Sequence, residues 1–348
     1  MYTGGTTGVS KGVMLTHGNV SINTQQLTAI LFDAEEGKET VVGILPFFHA
    51  AGFSGGMNPC IYRGCAHVLV PRPDADTLLK LTLKHRPAYF GWVPTLYVGF
   101  LNHPEFPKHD FSFIKGCLSG AAPLALETLR EWEERVGAPI MEVYGMTELS
   151  PVSHSNPWRA NMKPGSVGVP LPDTDCRIVD VETGTRDLPI GESGEILLKG
   201  PQMSPGYYKR PEETAESFGD GWFHTGDIGY MDEEGYLFIV DRKKDMVIAG
   251  GFNIYPREID EVLFEHPKVK EACAVGLPDP YRGETIKAFV VPRDGETLTE
   301  EEVIAYCKEK LAAYKVPKQI EFAEELPKSA IGKILRRELR EMEEKRAK

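Results

Sequence analysis

The chain has 348 residues, more than one core comfortably fills, so two or three domains are expected. Its 39 Lys and Arg against 51 Asp and Glu leave a formal charge of −12, which repels polyanions and excludes nucleic acid as the expected partner. The composition is that of a folded protein, and its apolar runs fall far short of the ~20 residues of a membrane helix, so a soluble, cytoplasmic chain with no transmembrane segment is expected.

Residues 2–12, YTGGTTGVSKG, gather four glycines, the hydroxyls of Thr3, Thr6, Thr7 and Ser10, and Lys11. Glycines let backbone N–H groups close on anionic oxygens, hydroxyls add donors and the lysine adds charge, so the loop suits phosphate. Ser10 replaces the glycine that precedes the lysine of a Walker loop, and Gly12 replaces its Mg²⁺-binding hydroxyl, which removes a P-loop NTPase. On composition alone a flexible Gly/Thr linker is the alternative.

From Gly64 to Tyr144 short apolar runs alternate with helical patterns: HVLV, DTLLKLTLKHR, AYFGWV, PTLYVGFLNH, KGCLSG, LALETLREWEERVG and PIMEVYG. This is an α/β rhythm. In the third helix Leu126, Leu129, Trp132 and Val136 recur at helical spacing, with Pro123 ahead and Gly137 placed to end it, so it is expected to pack on a sheet. Beyond Tyr144, CRIVDV, GEILLKG and GYLFIV, separated by Gly, Pro and Asp clusters, predict a β-rich subdomain.

The charged string Asp241 to Asp245, DRKKD, interrupts two apolar runs, and the α/β alternation starts afresh behind it. The expected domains are residues 1–243 and 244–348. The second is expected to hold a helix from Pro256, the strand pair ACAVGL and IKAFVVP, and a capping box from Thr299 to Glu302 opening a helix with Val303, Cys307 and Leu311 on one face. The terminal KILRRELREMEEKRAK interleaves acids and bases at helical spacing and predicts a solvated helix.

Cys60, Cys65, Cys117, Cys176, Cys273 and Cys307 show no CxxC pair or nearby His and predict buried free thiols. No HExxH supports a zinc hydrolase, so an expected metal is Mg²⁺ held mostly by a phosphate ligand. YGMTELS, residues 144–150, follows the strand IMEV. Tyr144 offers a flat face to a base, Thr147 a donor to phosphate and Glu148 a carboxylate to Mg²⁺. Thr147 and Glu148 equally suit the cap and first turn of a helix, and both readings can hold.

In order, YTGGTTGVSKG, PFFHAAG, LSGAAPL, YGMTE, GEILLKGPQMSPGYY, DGWFHTGDIGY, DRKKDMVIAGGFNIYPREIDEVL and PKSAIGKILRREL resemble the adenylate-forming (AMP-binding) superfamily, and within it the acyl-CoA synthetases, from Tyr2 to about Leu339. The resemblance implies an α/β fold: an N-terminally truncated adenylate-forming core, with an α/β sheet subdomain and a β-rich subdomain, followed by a small C-terminal α+β domain. It also implies ATP, Mg²⁺ and CoA as cofactor and co-substrates. A carboxylate attacks the α-phosphate of ATP to give acyl-adenylate and pyrophosphate, and a thiol then displaces AMP.

The same resemblance distributes the roles. Thr3, Gly4, Gly5, Thr6, Thr7, Gly8 and Lys11 hold the β- and γ-phosphates, Thr147 the α-phosphate and Glu148 the metal. Adenine lies against Tyr144 and the backbone of Gly120, Ala121 and Ala122. Asp227 and Arg242 bond the ribose hydroxyls, a carboxylate being a natural acceptor for a diol. Lys333 offsets the negative charge that grows between carboxylate and α-phosphate. Lys244 takes the hinge position, where a charged β-turn would look the same. Gly250, Gly251 and Phe252 line the pantetheine path, where a plain glycine turn is the alternative. His49, Trp92, Val93, Gly145 and Met146 border the acyl group; His49 is not assigned as a general base, and a buried histidine satisfied by backbone groups is the alternative. The absence of an Asp suited to an α-ammonium group favours fatty or aryl acids over amino acids.

Gly4 stands where serine is usual and Ser10 where proline is usual, which removes a hydroxyl and loosens the loop. Family members carry a long segment ahead of this loop, whereas here it begins at residue 2. The chain is therefore expected to be an acyl-CoA synthetase whose front is supplied by a second chain or lost, partnered by a small carboxylic acid, ATP and CoA, with a homo-oligomer also allowed. The rival readings are a non-catalytic nucleotide- or partner-binding remnant and a ligase that loads a carrier protein.

Overall fold

The structure, a computed structural model, describes residues 1–3, 10–31, 34–71, 73–121, 124–158, 160–329 and 333–346. The chain divides into two units, Met1–Thr225 with Tyr230–Phe238, and Gly226–Gly229 with Ile239–Lys348. The first opens on an antiparallel pair, β1 (Tyr2–Thr3) and β2 (Lys11–Gly12). Helix α1 (His17–Ile30) follows behind a Thr16–Asn19 capping box. Its inward residues are Asn23, Thr24, Gln26, Leu27 and Thr28, so it docks through amides. Asn23 Nδ2 donates to the Val152 carbonyl at 2.7 Å, and Asn23 Oδ1 accepts from the Val152 N–H at 3.2 Å.

Next come β3 (Thr40–Gly43), a π-helical segment (Ala51–Met57), α2 (Asn58–Tyr62), β4 (Ala66–Leu69) and α3 (Ala75–His85). They are followed by β5 (Tyr89–Trp92), α4 (Pro94–Leu101), β6 (Gly116–Ser119), α5 (Leu126–Val136) and β7 (Ile140–Gly145). With β8 (Val152–Ser155) and β9 (Val169–Pro170) the strands form one seven-stranded sheet, ordered β4-β3-β5-β6-β7-β8-β9. Its pairs are parallel from β4 to β7 and antiparallel beyond. Every run from HVLV to PIMEVYG adopts the element that its pattern predicts.

An aromatic core fills one face of this sheet. Phe90 stacks on Trp92 with centroids 4.2 Å apart, and Trp132 of α5 meets Tyr97 of α4 edge-on at 5.0 Å. Leu129, Trp132 and Val136 are buried as their spacing predicts, and Gly137 ends the helix at φ +78°. Leu126, at the first helical position, sits at the rim and is 42% exposed.

The β-rich segment forms a four-stranded sheet of β10 (Asp175–Val179), β11 (Gly194–Lys199), β12 (Phe223–Met231) and β13 (Leu237–Arg242), paired in that order, with α6 (Pro211–Phe218) before β12. The three expected strands are β10, β11 and β13. Strand β12, which carries the HTGD string, is an addition to that expectation.

The second unit is built on β14 (Val247–Ala249), β15 (Phe252–Ile254), α7 (Pro256–Phe264), β16 (Val269–Asp279) and β17 (Gly283–Pro292). After these come α8 (Glu300–Lys310), β18 (Gln319–Phe322) and α9 (Arg336–Arg346). The sheet runs β15-β14-β17-β16, and β18 lies parallel to β17. Ile259 and Leu263 of α7 and Val303 and Cys307 of α8 close its core, and the Thr299–Glu302 capping box is formed. Helix α9 is the largely solvated helix expected of its charges, with Leu339 as its one buried residue, packed with Cys273, Val275 and Phe289, and with Arg336 reaching acidic partners.

All six cysteines are free. Among the described residues no helix is long and apolar enough to cross a membrane. Trp132→Ala is expected to cost about 3–5 kcal/mol of stability, against less than about 1 kcal/mol for Leu126→Ala, when both are compared by denaturant unfolding.

Candidate active site

Ligands of open α/β sheets settle outside the carboxyl ends of the strands, and two neighbouring parallel strands of the first unit end in expected site residues. Strand β6 runs into Gly120 and Ala121. A Cβ on Gly120 would lie 2.9 Å from Val143 Cγ2, and Ala121 holds the left-handed φ of +68° that a non-glycine residue adopts at a cost. Strand β7 ends in Tyr144 and Gly145, where a Cβ on Gly145 would meet the Pro151 carbonyl oxygen at 1.9 Å, so only glycine fits.

The half-buried Tyr144 ring lies 6.0 Å from that of His154, its cross-strand partner. Burial brings His154 down to about 3, which keeps it neutral. Ser153 Oγ donates to the Tyr144 carbonyl at 3.2 Å and lies 3.0 Å from His154 Nδ1, so the proton is assigned to Nδ1. Met146 donates its N–H to the Pro151 carbonyl at 2.7 Å. Thr147 and Glu148 are buried in a single 3₁₀ turn, Thr147–Leu149, which Thr147 enters as its first residue. Met146, not Thr147, takes the cap position, and Glu148 lies in the first turn as the helix reading expects.

Glu148 Oε1 accepts a hydrogen bond of 2.9 Å from the Tyr207 hydroxyl. Burial, followed by the Glu148 charge, pushes the Tyr207 phenol well above its ordinary range, so it stays a donor. On the same ring rests Lys11, its Nζ 4.7 Å from the centroid. Backbone pairing brings these segments together: Val13 bridges Tyr207, the Tyr208 N–H donates to the Gly12 carbonyl at 2.7 Å, and the Met14 N–H donates to Gly206 at 3.0 Å. Thr3 stands opposite Lys11 in the β1–β2 pair. Gly4, Gly5, Thr6, Thr7, Gly8 and Ala122 lie outside the described residues. Sequence reasoning left Tyr207 without a role; its signal was the tyrosine pair closing GEILLKGPQMSPGYY.

The half-buried His49 accepts at Nδ1 from the Ala51 N–H at 3.2 Å. Trp92, expected beside the acyl group, is instead 1% exposed in the aromatic core. Beside β5 lies an apolar cavity of about 100 Å³, lined by Val42, Leu45, Gly52, Gly55, Gly91 and Leu118 among others. A Cβ on Gly91 would meet nothing within 4 Å.

In the second unit, Arg242 Nε of β13 lies 3.6 Å from Asp227 Oδ1 of β12. The Lys333 N–H donates to Ser329 Oγ at 3.2 Å. Burial, and behind it the Arg242 guanidinium, bring the Lys333 ammonium down to about 8. Lys244 is lowered as well, by desolvation first and Arg242 second. Three cations thus gather with Asp227 and Asp245 as the acidic groups among them, an arrangement suited to an anion. Gly250 and Gly251 take φ of +61° and +84°, and Phe252, 53% exposed, stacks on Tyr314 at 4.6 Å.

Residues 1–208 match the AMP-binding enzyme family, and residues 258–333 match the C-terminal domain of AMP-binding enzymes. The chain belongs to the AMP-binding enzyme family. Over 98% of its length this AMP-binding chain is 52% identical to the long-chain-fatty-acid–CoA ligase of Bacillus subtilis, and it spans 61% of that relative. It superposes over its whole length on ATP-bound MatB from Rhodopseudomonas palustris, at TM-score 0.94 and 37% identity, covering 68% of that chain. O-succinylbenzoate CoA synthetase (MenE) from Bacillus subtilis, solved with its acyl-adenylate intermediate, matches at TM-score 0.87 and 35% identity over 97% of this chain and 68% of its own.

Among the described residues of this AMP-binding chain, no three His, Cys, Asp or Glu side chains cluster as a metal site. A single carboxylate, Glu148, completed by phosphate oxygens and water, is the donor set that suits Mg²⁺.

Gly91→Ala is expected to leave the melting temperature unchanged or slightly raised, since its methyl enters open space. Gly145→Ala is expected to cost about 1–3 kcal/mol, because the Pro151 carbonyl must move. Thermal melts of the two variants check the pair.

Proposed function

We propose that the chain activates a fatty acid with ATP as an acyl-adenylate and passes the acyl group to CoA. The observation that carries this reading is the meeting of Lys11 and Glu148 on Tyr207, which puts a cation and a buried carboxylate on one ring, just past the end of a parallel strand. Its fatty character is supported by the apolar cavity beside Gly91 and by the long-chain ligase relative.

Lys11 and the loop ahead of it hold the β- and γ-phosphates, and Thr147 holds the α-phosphate. Glu148 holds Mg²⁺, which when bound neutralises charge on the phosphate oxygens. Tyr144 and the Gly120–Ala122 backbone receive adenine. Asp227 and Arg242 bond the ribose hydroxyls. A carboxylate oxygen of the acid then attacks the α-phosphorus, the bond to pyrophosphate breaks, and Lys333 offsets the charge that builds during the exchange. In the second step the CoA sulfur attacks the acyl carbon and AMP leaves. Gly250, Gly251 and Phe252 are assigned to the pantetheine arm and Lys244 to the pivot. A cytoplasmic location, where ATP and CoA are both available, is part of the same proposal.

Carboxylate-dependent ATP–pyrophosphate exchange tests the reading, run with the chain alone and with any polypeptide encoded beside it. Exchange with medium- or long-chain fatty acids is expected, and none across a broad acid panel in either setting overturns it. Filling the cavity with Gly91→Leu is expected to shift the preferred acid to shorter chains.

The pH profile is a second test. Lys333 is charged below about 8 and neutral above it, so exchange is expected to fall as pH rises through about 8. Lys333→Ala is expected to lower exchange about 10²–10³-fold and to abolish that limb. Thiolation of preformed acyl-adenylate should fall much less.

A further inference from the structure

The second unit holds a group of inward-facing charges that the reaction above does not use. Arg336, the first residue of α9, approaches Asp241 at 3.3 Å and Asp245 at 3.6 Å through Nη1, and pairs with Asp260 through Nη2. Arg340, one turn on, reaches Asp245 at 3.5 Å. Asp241 and Asp245 are buried, and the Asp260 side chain is 13% exposed. Each end of this group is fastened to backbone. Asp241 accepts from the N–H groups of Arg242 and Arg257, both at 2.7 Å, and Asp260 accepts from the Ala274 N–H at 2.5 Å.

The group links two segments that carry the cations of the site. On one side Asp241 bonds the backbone of Arg242, and Asp245 follows Lys244. On the other, Arg336 stands three residues after Lys333, in a segment pinned by the Leu335 N–H to the Pro327 carbonyl and by the Ser329–Lys333 pair. Arg242, Lys244 and Lys333 repel one another, and an untethered lysine would relieve that repulsion by turning to solvent. A planar guanidinium with several fixed donors can grip two carboxylates at once, which a lysine ammonium does with far less geometric definition.

We propose that Arg336 is a positioning residue that fixes Arg242, Lys244 and Lys333 as one preformed anion-binding cluster. It acts through Asp241 and Asp245 and touches no reactant. Its catalytic consequence rests on the adenylation reading of Lys333, but the positioning itself does not.

The test is the pH dependence of Lys333 modification by an amine-acylating reagent, read by peptide mass spectrometry on protein without nucleotide. The groups that face this lysine are Arg242, Asp227, Lys244 and Asp245. In the unaltered chain half-maximal labelling is expected near pH 8. In Arg336→Met the midpoint is expected to rise by about one to two pH units, toward the ordinary lysine value of about 10.4. Arg336→Lys, which keeps the charge without the fork, is expected to rise by less. If Arg336→Met does not fold by circular dichroism, Asp241→Asn carries the same expectation. A folded Arg336→Met or Asp241→Asn whose Lys333 labelling follows the unaltered curve overturns the proposal. Failure of the chain to activate any acid would strike the adenylation reading and leave this result standing.

Discussion

The hydrogen bond from the Tyr207 hydroxyl to Glu148 is the interaction on which the chemistry proposed for the first unit rests. A buried carboxylate must be paid for by partners, and a bond to a charged group contributes about 1.5–3 kcal/mol. The Lys11 contact with the same ring is worth about 0.5–1 kcal/mol. That difference fits the roles proposed for them, with Glu148 fixed in the turn behind β7 and Lys11 exchanging the ring for phosphate oxygens. The pairing of residues 12–14 with 206–208 makes this possible by bringing the two ends of the first unit's sequence to one place.

In the second unit burial comes first and like-charge repulsion second. Desolvation, followed by the Arg242 charge and then that of Lys244, lowers the ammonium of Lys333, with Asp227 and Asp245 opposing. On the proposed reading, such preorganised charge would act on a developing phosphate charge without the reorganisation that water would require. At neutral pH Lys333 remains mostly protonated, so the depression tunes the group without silencing it.

Much of the architecture was legible, and the omissions have physical reasons. Helix α5 was readable because an apolar stripe faces the sheet, and α8 because its capping box is local chemistry. Helix α1 escaped because its inward face is Asn23, Gln26 and two threonines bonded to backbone and side chains, which leaves no periodic apolar signal. Trp92 lies in the aromatic core stacked on Phe90, and Phe90 and Gly91, not Trp92, line the cavity. Tyr207 was invisible as a site residue because its partner, Glu148, is 59 positions away. A cavity made by glycines is an absence of side chains, which composition does not reveal.

The central claim is that Glu148, oriented by Tyr207, is the protein's contribution to holding Mg²⁺ with ATP. Calorimetric titration of ATP into the chain and into Glu148→Gln, each with and without Mg²⁺, addresses it most directly. The account predicts that Mg²⁺ tightens ATP binding to the unaltered chain and that the variant keeps its metal-free affinity but loses most of that gain. A Glu148→Gln chain that retains the full Mg²⁺ enhancement would contradict it.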